Sequence, residues 1–362
     1  MTKKQKDQKT EKPTSAKASA GKQKFPSELR FDIASKNWVI IATGRAKRPE
    51  MFKKEKRTKD RIPKRDCVFC KIETQETPTL IFSNGKKVKL GPKGKIPKNW
   101  TTIVIPNKYP AFLQNSRLEE RIEGNLYKTV RAIGSHEVVV TKDHDKHLAL
   151  LPVERIKEVI DVYQSRYLSL MEQPFANYIA IFHNHGRDAG ASIYHPHSQI
   201  IATPLIDTDV RTALVTAEKY SKEHRRCLYC QMAKWEMKVR KRIVFENKDF
   251  LVICPFASKM AFQTIISPKK HASNFERITG SQKKTLAEAF KIALYKLYKG
   301  LGNPAYNFYL HTAPSIGKEY PRYHWHWTIL PKTAIHAGFE LGAQMEISTI
   351  EPEKAAEYLR KQ

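Results

Sequence analysis

The property that most restricts how this chain can fold is an order of features that occurs twice. In the first half a Cys67/Cys70 pair precedes two strand-like segments, 102–105 and 137–140, and His144 just beyond the second of them. An amphipathic helix is predicted over 153–171, with Ile156, Val159, Ile160, Tyr163, Tyr167 and Leu170 at helical spacing. A strand over 178–182 then leads to His195-Pro196-His197. The second half repeats the plan: Cys227/Cys230, strands over 242–246, 250–254 and 262–267, then His271. A helix over 281–298 follows, with Leu286, Phe290, Ala293, Leu294 and Leu297 on one stripe and Gly300 and Gly302 ending it. The strand 306–311 leads to His324-Trp325-His326. Such a recurrence reads as an internal duplication, divided here into 25–210 and 211–362. Antiparallel strands with one main helix per half make the expected class α+β.

The segment 182–199 carries the densest chemistry. If His195 to Gln199 are extended, alternation puts His195, His197 and Gln199 on one face. A neutral imidazole is a competent nucleophile toward phosphorus when a hydrogen bond fixes which ring nitrogen holds the proton. The Pro196 carbonyl is one candidate for that partner. Gln199 can donate its amide to a phosphoryl oxygen but cannot shuttle a proton, so the site suits transfer of a nucleotidyl group to another phosphate better than activation of water.

These residues carry a resemblance. Asn184-His185-Gly186, Gly190-Ala191-Ser192 and His195-Pro196-His197-Ser198-Gln199 are similar to the active-site segment of the galactose-1-phosphate uridylyltransferase family, the transferase branch of the histidine-triad superfamily. Trp38-Val39 with Arg45-Ala46-Lys47-Arg48-Pro49 resembles that family's opening strand and basic loop, and Pro106-Asn107-Lys108-Tyr109-Pro110-Ala111 its Pro-Asn-(Arg/Lys)-aromatic-Pro-Ala turn. The resemblance implies two tandem histidine-triad-like halves. His197 would attack the α-phosphorus of a nucleotide sugar, release a sugar 1-phosphate and pass the nucleotide on by ping-pong. Gln199 and Ser192 would hold phosphoryl oxygens, Asn184 would fix geometry, and Gly190 would allow close backbone approach. Arg45 and Arg48 match basic positions near the nucleotide phosphates. Phe339 and Gln344 fall in 337–344, which resembles the sugar-binding turn; Gln344 stands where the galactose enzymes carry Glu, and Gly338 where they carry Lys. The family's active site draws on both subunits, which implies a homodimer.

In a reducing compartment two Cys-x-x-Cys pairs favour zinc or a redox dithiol over a structural disulfide; a redox pair usually opens a helix after a strand, a context that fits neither pair well, and the spaced histidines suit zinc. The family pattern completes the first set as Cys67, Cys70, His144 and His195, with His136 and His147 as neighbours matching no family ligand position. In the second half Cys227 and Cys230 pair with His271 and one of His324 and His326, of which His324 is preferred. The uridylyltransferases often place Glu and several His there, whereas a thiolate pair resembles the ADP-glucose phosphorylase relatives. Zinc at the first set would also hold the strand that presents His197. Cys254, among Leu251, Val252, Ile253 and Phe256, reads as a buried apolar residue.

The 362 residues are 41% hydrophobic, enough for two or three domain-sized units. No apolar run reaches the ~18 residues of a membrane span and no signal-peptide pattern opens the chain, so the expected location is the cytoplasm. The formal charge is +29, and residues 1–24 hold eight lysines against Asp7 and Glu11, the composition of a disordered basic tail. A basic surface attracts nucleotides and sugar phosphates and equally nucleic acid. A zinc-containing nucleic-acid-binding protein is therefore a rival, but each Cys pair lies about a hundred positions from its His-x-His segment, unlike a compact finger. The leading expectation is exchange of UMP between UDP-glucose and galactose 1-phosphate. The alternative with the same histidine is an ADP-glucose or dinucleoside-polyphosphate phosphorylase.

Overall fold

Runs such as Ile103-Val104-Ile105 and Val138-Val139-Val140 are buried on both sides, as β-branched residues are when a sheet is covered on each face. The computed structural model describes residues 27–43, 61–113 and 119–362. The tail 1–24 and the basic positions Arg45 and Arg48 lie outside the described residues. In chain order the strands are β1 (Glu28–Phe31), β2 (Trp38–Ile41), β3 (Leu80–Ser83), β4 (Lys86–Val88), β5 (Thr102–Pro106), β6 (Glu120–Glu123), β7 (Tyr127–Val130), β8 (Ser135–Thr141), β9 (Tyr178–His185), β10 (His197–Thr203), β11 (Ile243–Glu246), β12 (Phe250–Ile253), β13 (Thr264–Pro268), β14 (Tyr306–His311), β15 (His326–Pro331) and β16 (Ile347–Ser348). The helices are α1 (Val153–Met171), α2 (Thr208–His224), α3 (Leu228–Val239), α4 (Gly280–Leu301), α5 (Gly338–Ala343) and α6 (Pro352–Arg360).

Among the described residues one antiparallel sheet of eleven strands runs β11-β12-β13-β15-β14-β9-β10-β8-β5-β3-β4. Its order is the duplication made visible: β5-β8-β10-β9 in one half mirrors β12-β13-β15-β14 in the other, and the halves join where β9 pairs with β14. One main helix per half, α1 and α4, packs against the other and shares the larger core with one face of the sheet. The opposite face of the first half holds a second core of Phe69, Ile81, Trp100, Ile103, Ile105, Val138 and Val140. The fold is α+β, as the pattern of strands and helices implied.

The α1 carboxylate Glu158 is buried but accepts from Thr101 Oγ1, Thr102 Oγ1 and Gly85 N–H and pairs with Arg155, so it is fully satisfied. Helix α4 starts at a Thr279/Gln282 capping box and ends at Gly302, whose φ is +68°. Gly300 therefore lies inside the helix rather than ending it. A Cβ there would meet Gln362 Cγ at 3.0 Å and Tyr358 Cε1 at 3.1 Å, so glycine lets α6 approach. Helices α2 and α3 were not expected; the 210/211 division falls in the first turn of α2. The 337–344 turn is a short helix, α5, closed by Gln344 with φ +53°. No helix of the described residues is long and apolar enough to cross a membrane.

Candidate active site and metal centres

The site begins where β9 ends. Gly186 and Gly190 have φ of +80° and +83°, so the chain folds tightly around Arg187–Ala189 before returning through Ser192 to β10. Strand β10 starts at His197, not at His195. His195 sits in the preceding bend, so only His197 and Gln199 share a strand face.

His197 is 8% exposed, and its Nδ1–H donates to the carbonyl of His195 at 2.9 Å. The partner that fixes the tautomer is thus His195, two residues back, rather than Pro196. The proton on Nδ1 leaves a lone pair on Nε2. Burial holds the imidazole below its ordinary pKa, against the opposing effect of that hydrogen bond, so the ring is neutral near pH 7. The Phe69 ring lies edge-on at 5.1 Å. Gln199 Oε1 lies 2.7 Å from His136 Nε2. Ser198 points to the other face, where its Oγ meets Tyr163 Oη at 2.6 Å and His183 Nδ1 at 3.0 Å.

Asn184 is oriented from the second half. Asn307, directly opposite it on β14, donates Nδ2–H to Asn184 Oδ1 and to the Ala189 carbonyl, each at 2.8 Å. The Asn184 amide nitrogen is thereby turned toward Gly190, where it would lie 3.9 Å from an added Cβ. Sequence reasoning missed Asn307 and gave His136 no role at this site, because only the strand register brings either to it. Ser192 lines a cavity of about 230 Å³ with Tyr194, His147, His185 and Arg187. Phe339 and Gln344 are exposed on and just after α5 and do not line that cavity.

Cys67, Cys70, His144 and His195 bring four donor atoms within 4.8 Å of one another, and so do Cys227, Cys230, His271 and His324. In the first set His144 Nε2–H donates to the Ile62 carbonyl and His195 Nε2–H to the Thr141 carbonyl, each at 2.7 Å. Both Nδ1 atoms therefore carry lone pairs, yet they face each other at 3.3 Å, beside Cys70 Sγ at 3.2 and 3.6 Å. Converging lone pairs and sulfurs repel unless a cation lies among them, so this donor set fits a metal ion. In the second set Cys230 Sγ lies 3.5 Å from His271 Nδ1 and 3.9 Å from His324 Nδ1. His326 instead donates Nδ1–H to the His324 carbonyl and meets His311 through Nε2 at 3.2 Å. It repeats in the second half the lock that holds His197 in the first.

Models of the galactose-1-phosphate uridyl transferase N-terminal and C-terminal domains match residues 17–207 and 213–361. Among curated proteins, the ADP-glucose phosphorylase of Arabidopsis thaliana is 30% identical over 341 residues, covering 92% of each chain. The galactose-1-phosphate uridylyltransferase of Thermotoga maritima is 26% identical, covering 92% of this chain and 98% of that protein. Among solved structures, the Arabidopsis ADP-glucose phosphorylase with bound ADP-glucose is 29% identical, with a TM-score of 0.75 over 93% of this chain and 99% of that one. A buried, tautomer-locked histidine, two Cys/His clusters and two family models that together span nearly the whole chain agree: the protein belongs to the galactose-1-phosphate uridylyltransferase family.

Proposed function

We propose that the protein moves a nucleoside monophosphate from a nucleotide sugar to a phosphate acceptor through His197. The observation that carries this reading is the Nδ1–H of His197 donated to the His195 carbonyl, which leaves a neutral Nε2 as nucleophile. In the first step a bond forms from Nε2 to the α-phosphorus as the bridging oxygen bond to the sugar 1-phosphate breaks, and the leaving oxygen keeps the electron pair. In the second step an oxygen of the acceptor phosphate displaces Nε2, which regains its lone pair. Gln199 and Ser192 donate to phosphoryl oxygens, Asn184 orients the group, and Gly190 lets the backbone approach it. Arg45 and Arg48 bind the nucleotide phosphates.

Transfer from ADP-glucose to inorganic phosphate is the reading favoured by the thiolate pair Cys227/Cys230 and by the similarity to ADP-glucose phosphorylase. Uridylyl transfer from UDP-glucose to galactose 1-phosphate is favoured by the similarity to the uridylyltransferases. Zinc is the proposed metal, since two thiolates and two imidazoles suit its tetrahedral preference. Bound at Cys67, Cys70, His144 and His195, it would supply a structural tie on the residue whose carbonyl orients His197. A homodimer is supported by the resemblance, since the family's active site draws on both subunits. Five cysteines with no disulfide suit a reducing, cytoplasmic location.

The test is isotope exchange. With no second acceptor present, labelled glucose 1-phosphate should enter ADP-glucose, UDP-glucose or both, because the first half-reaction is reversible on its own. Product formation with both substrates present, but no exchange with either nucleotide sugar alone, would contradict the covalent route.

A further inference from the structure

Gln199 bears on the phosphoryl group only if its amide presents nitrogen rather than oxygen, and the backbone of a distant turn decides which. His136 on β8 lies diagonally across from Gln199, which stands opposite Val138. The Ala111 N–H lies 3.1 Å from His136 Nδ1. A backbone N–H can only donate, so Nδ1 holds a lone pair and the single proton of the neutral ring is on Nε2. That Nε2–H, 2.7 Å from Gln199, can pair only with the amide oxygen. Asn107 Oδ1 accepts from Tyr109 N–H at 3.0 Å, which directs its Nδ2 to within 3.1 Å of the same Nε2. With Nε2 protonated this is a donor–donor contact and adds no hold on the ring. Burial keeps His136 below its ordinary pKa, in keeping with the neutral form.

We propose that His136 is a positioning residue, donating Nε2–H to Gln199 Oε1 so that the amide NH₂ of Gln199 faces the phosphoryl group on His197. The inference rests on the reading of His197 as nucleophile. It also connects the 106–111 turn to the chemistry, because the turn fixes the His136 tautomer through Ala111 and the tautomer in turn orients Gln199. An unfixed amide spends part of its time with oxygen toward the phosphoryl oxygens, acceptor against acceptor.

Three variants separate this role from simple support of the turn. His136→Gln keeps a donor near the Nε2 position, His136→Asn keeps only an acceptor near the Nδ1 position, and His136→Phe keeps neither. Each is mixed rapidly with ADP-glucose and with UDP-glucose, and the rate of nucleotidyl-protein formation is followed by mass, with KM measured separately. His136→Asn and His136→Phe should slow formation roughly 10²-fold with KM little changed, and His136→Gln should recover about ten-fold of that loss. In a Gln199→Ala background, His136→Asn should cost nothing further. The opposite ranking, with Asn active and Gln impaired, would overturn the inference in favour of a turn-supporting role, as would additive losses in the double variant. Wild-type protein that forms no adduct with either nucleotide sugar would instead overturn the nucleophile reading, and this inference with it.

Discussion

At the scale of single residues, the site depends on which atom of each ring or amide is already engaged. His197 spends Nδ1 on a carbonyl and Asn184 spends its oxygen on Asn307. Replacing Asn307 by Leu should therefore free the Asn184 amide and lower kcat roughly ten-fold or more, with thermal stability only modestly reduced; steady-state kinetics beside a melting curve would check it. Because neutral His197 is required and burial lowers its pKa, kcat/KM should be flat above about pH 6.5 and fall on the acid side, which a pH–rate profile would read. The pair His195 and His197 stands out in the sequence because a proline lies between them and an amide follows in step, although the structure keeps only His197 and Gln199 on one strand face. Asn307 and the tie between His136 and Gln199 were not legible. They lie 123 and 63 positions from the residues they bind, and only strand register brings them together.

At the scale of elements, α1 was readable to its ends, since six apolar positions at helical spacing follow Pro152. Helices α2 and α3 were not. Of α2 only Val210, Thr216, Ala217 and Ser221 are buried, too few apolar positions to set a stripe against its lysines, although Asp207 caps it through Asp209 N–H and Val210 N–H. Strand β10 starts two residues later than an extended 195–199 segment implies, because His195 turns to the Cys pair instead of continuing the pleat. Helix α1 is fastened to β8 by Arg166, whose Nε and Nη2 donate to the two oxygens of buried Glu137 at 2.8 and 2.7 Å. Arg166→Met leaves that carboxylate unpaired and should cost about 3 kcal/mol, read as a lower urea midpoint with an unchanged slope.

At the scale of the whole molecule, the duplication gives each half a Cys/His set and a carbonyl-locked histidine, but only the first half follows its histidine with an amide; Thr328 stands at the equivalent place. Both Cys/His sets join distant segments, so with the proposed zinc in each a chelator should lower the melting temperature, and Cys67→Ser and Cys227→Ser should each remove one equivalent of metal as counted by mass spectrometry. Burial lowers His311 to about 3 and His326 to about 4, and each neighbours the other. The unfolded chain takes up protons at these rings near pH 6.5 and the folded chain does not, so it binds more protons when unfolded. Stability should therefore be full above about pH 6.5 and fall as pH drops toward the lowered values, at about 1.4 kcal/mol per group and pH unit before relaxation. Denaturation midpoints between pH 7 and 4 would show it.

On the reading proposed above, His197 becomes covalently nucleotidylated. Its most direct test is the intact mass of the metal-loaded protein seconds after mixing with ADP-glucose and, separately, with UDP-glucose. A covalent intermediate gives a gain of one AMP or one UMP per chain, mapped to His197 and missing from His197→Ala, and the nucleotide that adds names the donor. No gain with either donor, from protein that still releases sugar 1-phosphate from one of them, would contradict it.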